Sequence, residues 1–252
     1  MVFRRCSVGG KVYAGGQSTE EEQAPVEQVR LSAASGSGSL SSGTAAQDAE
    51  TKVPDPTEAD GIKRSVGVLT HFHDDQLTLD LQRASSIRFD SPAASHSRTL
   101  IGYFTVLSPC HTVLASVDTA TNKIEYKAQS PDEAALVQTA ADVGFIFGGR
   151  DKDIMKLQTP FSDRVEEYEL LNVLDFTSAR KRMSVILRKL DGEDRRIYLF
   201  SKGADNVIFE RLQPGSDEEL KEVTGKHLDE FASDGLRTLT LAYKVIPGKS
   251  KS

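Results

Sequence analysis

The chain has 252 residues, a formal net charge of −6 and two cysteines, Cys6 and Cys110; 38% of its residues are hydrophobic and 27% charged. That is enough chain to bury a real core. Two cysteines exclude a disulfide framework and a four-cysteine zinc site and favour a reducing compartment, and the acidic balance argues against nucleic acid as a partner. No apolar run approaches the ~20 residues that span a bilayer, and Met1 to Arg5 has no hydrophobic stretch behind it that would make a secretory leader.

Residues 1–14 carry β-forming residues flanked by glycine, as in Val8 and Lys11-Val12-Tyr13. From 15 to 61 the composition changes to Ser, Gly, Ala, Glu and Pro with almost no large apolar residue. Such a stretch buries too little to offset its ordering entropy, so a disordered insertion is expected within a single domain spanning 1–252. A second Ser-rich stretch, 91–98, reads as a loop. Between them Phe72 to Leu81 is either a short helix or an extended piece, and Thr99 to Leu114 reads as helical despite its β-branched residues.

Lys123 to Ala128 alternates like a strand, and Ser130-Pro131-Asp132-Glu133 then opens a helix. Ser130 suits the N-cap, Pro131 the first helical position, and Glu133 would complete a capping box. The apolar face of that helix is expected through Ala134, Val137, Ala141 and Phe145. Strand patterns follow at 165–176, 183–190 and 195–200, with Asp191-Gly192-Glu193-Asp194 as a hairpin loop between the last two. Residues 206–212 and 218–232 read as helices, and alternation returns over 238–246. Successive strands joined by short turns imply an α+β fold, a twisted antiparallel β-sheet flanked by helices.

Several stretches invite a chemical reading. Gly248-Lys249-Ser250 imitates the end of a phosphate-binding P-loop, but Tyr243 stands where the first glycine belongs. His71, His73 and Asp74 suggest a metal-dependent hydrolase; the chain has only five histidines, and a solvated or capping role is the favoured reading. Cys110-His111 reads as core packing.

Phe176 followed by Arg180-Lys181-Arg182 places an aromatic ring beside three cations. That combination suits a purine and its phosphates, although a core Phe before a solvated basic turn would look the same. Lys202, ahead of Gly203-Ala204, offers an ammonium near a helix start, or is a surface lysine with glycine making the turn. Arg237 stands where a helix hands over to a strand, either as a ligand-facing cation or as a C-terminal helix charge with Gly235 as the cap.

Together these stretches resemble the nucleotide-binding (N) domain of P-type ATPases, in the phospholipid-transporting P4 branch. The resemblance rests on Ser130-Pro131-Asp132-Glu133-Ala134-Ala135-Leu136, on Phe176 to Ser184, on Lys202-Gly203-Ala204 and on Leu236-Arg237-Thr238-Leu239, in the family's order. Phe104 to Leu107, Cys110 to Val113 and the opening Phe3 to Tyr13 add to it. It implies that Phe176 stacks on adenine with Glu133 near the base's amino group. Ser178 and Lys181 would line the nucleotide, Lys202 would lie deep in the pocket, and Arg237 with Thr238 would meet the phosphates. The family's DKTGT phosphoacceptor aspartate, its later Mg²⁺-binding motifs and its membrane helices are not in this sequence. The chain alone is therefore expected to bind ATP and catalyse nothing. Its partners would be the phosphorylation, actuator and membrane domains of a flippase and an accessory subunit, at the cytosolic face of a Golgi, endosomal or plasma membrane. A regulatory fragment with a non-functional pocket is the alternative.

Overall fold

The computed structural model describes residues 1–16, 71–86, 91, 94–117, 124–190, 195–215 and 217–247. The expected insertion from residue 17 onward, the 191–194 hairpin loop and Gly248-Lys249-Ser250 lie outside the described residues. The elements in chain order are strands β1 (Arg5–Val8) and β2 (Lys11–Ala14), helices α1 (Asp75–Ser86) and α2 (Ser95–Leu107), and strands β3 (Leu114–Val117) and β4 (Ile124–Lys127). Helix α3 (Pro131–Asp142) leads into β5 (Ile146–Asp151), β6 (Ile154–Gln158), β7 (Glu166–Leu174), β8 (Arg182–Lys189) and β9 (Ile197–Gly203). Helices α4 (Asp205–Phe209) and α5 (Glu218–Ser233) precede the last strand, β10 (Thr240–Ile246).

Strands β5 to β10 form one antiparallel sheet in the order β10-β9-β8-β7-β6-β5, so that every neighbour in the sheet is also the next strand in the chain. The α+β antiparallel expectation is met. On one face Met183, Val185 and Leu187 of β8 are buried at period two with Phe200 of β9 and Tyr168 of β7. Val106 of α2, Cys110 three residues beyond its end and Val137 of α3 cover that face. A second core joins the β1–β2 hairpin, through Cys6, Val8 and Tyr13, to Leu77 and Leu81 of α1 and to Leu100, Phe104 and Leu107 of α2. Helix α2 serves both cores, because Leu100, Phe104 and Leu107 fall on one helical face and Val106 on another.

Several local expectations change in the folded chain. Residues 95–98, read as loop, are the first turn of α2, where Thr99 Oγ1 donates to the Ser95 carbonyl and Ser97 is buried. Of the stretch Phe72 to Leu81, residues 75–81 fall in helix α1, whose Leu77, Leu81 and Ala84 face the core while Leu79 is exposed; 72–74 precede it without helical structure. Asp74 caps it, accepting from Leu77 N at 2.7 Å. Strand β9 runs on to Gly203, so Lys202 belongs to the sheet rather than to a turn. The capping box at α3 does not form: Ser130 is the N-cap with Pro131 behind it, but its side chain makes no capping bond. The Glu133 carboxylate is committed elsewhere.

Candidate functional site

Helix α3 starts where the cations of the sheet converge, because its first turn carries two adjacent carboxylates. Register places Lys202 of β9 opposite Met183 of β8 and Leu241 of β10, on the face that α3 covers. From there Lys202 Nζ reaches Glu133 Oε1 at 2.8 Å, with both side chains well shielded, at 8% and 14% exposure. Thr112 supplies the other Glu133 oxygen with two donors, Oγ1 at 2.6 Å and its backbone N–H at 3.2 Å. Burial pushes the Glu133 carboxyl pKa up. The Lys202 ammonium, with the hydrogen bonds from Lys202 and Thr112, outweighs that and holds it below its ordinary value. The neighbouring Asp132 takes Arg237, whose guanidinium donates to Asp132 Oδ2. The first turn of α3 therefore holds two of the expected phosphate-end and pocket cations, one on each carboxylate.

The 175–181 loop joins this cluster through the backbone. Lys181 N donates to the Thr177 carbonyl at 2.8 Å, and the Lys181 carbonyl accepts from Ala204 N at 3.0 Å, just past Lys202 and Gly203. Lys181 has φ +49°, a left-handed conformation that costs about 1–2 kcal/mol outside glycine and is held here by those two bonds. Arg180 closes the loop by donating to the Asp175 carbonyl. Phe176, two residues beyond the end of β7, leaves 60% of its surface exposed. A core role for this ring is thereby excluded. Ser178 and Lys181 are exposed in the same loop.

Arg237 and Thr238 follow α5, whose end turns at Gly235 with φ +75° while Leu236 N donates back to the Phe231 carbonyl. Gly235 ends the helix, as one reading of this stretch has it, and Arg237 two residues later pairs with Asp132. A cavity of about 1000 Å³ lies between β1, α2, α5 and β10, against Phe3, Tyr103, Leu107 and Phe231. It takes in Asp132, Arg237 and Thr238 but none of Glu133, Phe176, Ser178, Lys181 and Lys202. The polar cluster, rather than this largely apolar space, is the candidate site.

The histidine motifs behave as structure. His71 Nδ1 pairs with the buried Asp142 at the end of α3, and His73 with Asp75, so the two rings serve different carboxylates. Among the described residues no three His, Cys, Asp or Glu side chains are grouped to hold a metal ion. His111 donates from Nε2 to the Ser108 carbonyl and accepts at Nδ1 from Val113 N, a neutral tautomer packed edge-on against Phe147. Burial, then the Lys202 charge, lowers its pKa to about 3. Burial pushes the Cys110 thiol up to about 12.

The family model described as P-type ATPase, cytoplasmic domain N, matches residues 105–252. The chain belongs to this family. Over 140 residues this N domain is 49% identical to phospholipid-transporting ATPase dnf2 of Schizosaccharomyces pombe, a match covering 56% of the chain and 10% of that protein. It is 33% identical over 255 residues to the probable phospholipid-transporting ATPase IM of Homo sapiens, covering 99% of the chain and 17% of the relative. It is 34% identical over 248 residues to the probable phospholipid-transporting ATPase 4 of Arabidopsis thaliana, covering 97% and 19%. The chain thus spans less than a fifth of the length of these relatives. Among the described residues of the N domain no helix is long and apolar enough to cross a membrane.

Sequence reasoning about the N domain missed two contributors. Asp132 was visible only as a first-turn acid, and nothing in its spacing pointed to Arg237, 105 residues away. Thr112, 21 residues before Glu133, lies in the Cys110 to Val113 stretch of the resemblance, but nothing there pointed to Glu133.

Proposed function

We propose that this N domain holds ATP and presents its terminal phosphate to a phosphoacceptor aspartate of a parent P4-type ATPase, which uses the cycle to move phospholipid between leaflets. The observation that carries the reading is the shielded Lys202–Glu133 pair at the start of α3, tied through Gly203-Ala204 to a basic loop that leaves Phe176 exposed. An exposed aromatic ring beside cations is suited to a base followed by phosphates. Phe176 would stack on adenine, with Glu133 accepting from its amino group and Ser178 and Lys181 along the nucleotide. Lys202 would lie deep in the pocket, and Arg237 with Thr238 would meet the phosphate end. Phosphoryl transfer is largely positioning and charge stabilisation, so a separate nucleotide-holding domain is physically sensible. Mg²⁺ would arrive with the phosphates and take its protein ligands from other domains of the parent, which with an accessory subunit would be this domain's partners at the cytosolic face of a membrane.

Calorimetric titration of the full chain with ATP tests the proposal. Phe176→Ala is expected to weaken binding by about 5- to 150-fold, from the ~1–3 kcal/mol of a base–aromatic stack. Its stability should change by less than ~0.5 kcal/mol, because the ring is mostly solvated. A folded wild-type chain without saturable ATP binding would favour the regulatory fragment instead.

A further inference from the structure

Both oxygens of the Glu133 carboxylate are engaged within the domain, one by Lys202 Nζ and the other by Thr112 Oγ1 and Thr112 N. A carboxylate offers about four lone-pair directions, so roughly one acceptor direction is left over. The donors differ in what they impose. Lys202 is a rotatable point charge on a flexible stem and tolerates rotation of the carboxylate about its own bond. Thr112 instead brings two donors from a single residue onto one oxygen, and two donors at fixed separation leave the carboxylate plane little freedom. Thr112 is itself anchored, because it lies between His111 and Val113, and Val113 N donates to the His111 ring that is wedged against Phe147.

We propose that Thr112 is a positioning and specificity-determining residue: by fixing the plane of Glu133 it aims the remaining acceptor direction at the 6-position of a bound purine and sets a preference for 6-amino over 6-oxo bases. The inference rests on the nucleotide reading of the site. An ionised carboxylate only accepts hydrogen bonds, so it pairs with the amino group of adenine and opposes the carbonyl oxygen of hypoxanthine or guanine. A carboxylate free to turn gains less from the first and avoids the second, and the discrimination fades. The Thr112 side chain reaches Glu133 from an exposed residue between α2 and β3, so its hydroxyl can be removed without opening the core.

The test is titration of the full chain with ATP and with inosine triphosphate, which has a carbonyl oxygen where ATP has the amino group. Wild type, Thr112→Val, Thr112→Ser and Phe176→Ala are compared. Thr112→Val keeps the backbone donor and the β-branch but lacks the hydroxyl. It is expected to weaken ATP about 5- to 10-fold while inosine triphosphate stays within about 2-fold. Thr112→Ser, which restores the hydroxyl, is expected to restore the wild-type ratio of the two affinities. A wild-type ratio in Thr112→Val, or no recovery in Thr112→Ser, would overturn the role of the hydroxyl while leaving the ATP site in place. The nucleotide reading fails separately, and takes this inference with it, when wild type shows no saturable ATP binding or Phe176→Ala binds both nucleotides as well as wild type does.

Discussion

Lys202→Met is expected to destabilise the N domain by about 3 kcal/mol, near the low end for breaking a buried ion pair, and to abolish measurable ATP binding. The loss is dominated by what remains behind. Without the ammonium, a carboxylate only 14% exposed stays next to the hydrophobic face of β8 and β9, with Thr112 its one remaining donor among the described residues. Those two Thr112 donors keep the cost from rising further. Replacing both partners, as Glu133→Gln with Lys202→Met, should recover most of the stability, since no uncompensated charge is left, yet ATP binding should stay lost. Urea denaturation at constant m reads the stability, and calorimetry reads the ligand. A single variant as stable as wild type would mean that the pair is solvated and contributes little.

The same pair sets a pH dependence whose sign follows from Glu133. Its carboxyl pKa is held below the ordinary 4.5 in the folded state, since Lys202 and Thr112 outweigh the effect of burial. A depressed folded pKa contributes stability that is fully present above the unfolded value and is lost as pH falls through the folded one. The stability gap between wild type and Glu133→Gln should therefore hold constant from pH 7 to about 5 and close progressively below that.

How much of this could be read from the residues depends on the range of the interactions involved. Strand β8 was legible because Met183, Val185 and Leu187 bury one face and period two is a local property. The start of α3 was legible because Ser130-Pro131 is a local backbone statement. The capping box failed because Glu133 had stronger partners than the Ser130 backbone, one of them 69 residues downstream, and no window of sequence contains that competition. Strand β9 was ended too early for the same reason. Lys202 looks like a polar terminus, but pairing with Glu133 lets it sit buried in a strand flanked by β8 and β10. The beginning of α2 was hidden by its serines, which a helix accepts when Ser97 packs inward and Leu100, Phe104 and Leu107 supply the face. The site residues came from resemblance in ordered motifs. Thr112 and Asp132, which hold Glu133 and Arg237 respectively, reach them only through the fold, across 21 and 105 residues of chain.

Gly203→Ala is expected to cost about 1–3 kcal/mol and to reduce ATP affinity about tenfold, although it adds a single methyl group at a residue no ligand need touch. A Cβ built at Gly203 would lie 2.6 Å from both the Lys181 carbonyl oxygen and Arg182 Cβ, and 2.8 Å from Arg182 Cα. Backbone atoms cannot rotate out of the way. The position has strand partners on both sides, Arg182 on β8 and Thr240 on β10, so it cannot retreat sideways either. What yields is the end of the 175–181 loop: the Ala204 N to Lys181 carbonyl bond stretches, and with it goes one of the two bonds that keep Lys181 at φ +49°. Phe176, Ser178 and Lys181 then lose their setting relative to Lys202 without being altered themselves. The contrast is Gly225 in the middle of α5, where an added Cβ would meet nothing within 4 Å. Gly225→Ala should stabilise by about 0.5–1 kcal/mol through the lower backbone entropy of alanine and leave ATP binding unchanged. If denaturation and titration give both alanine variants the same sign, the close approach of Gly203 to the Lys181 turn is not what holds the 175–181 loop.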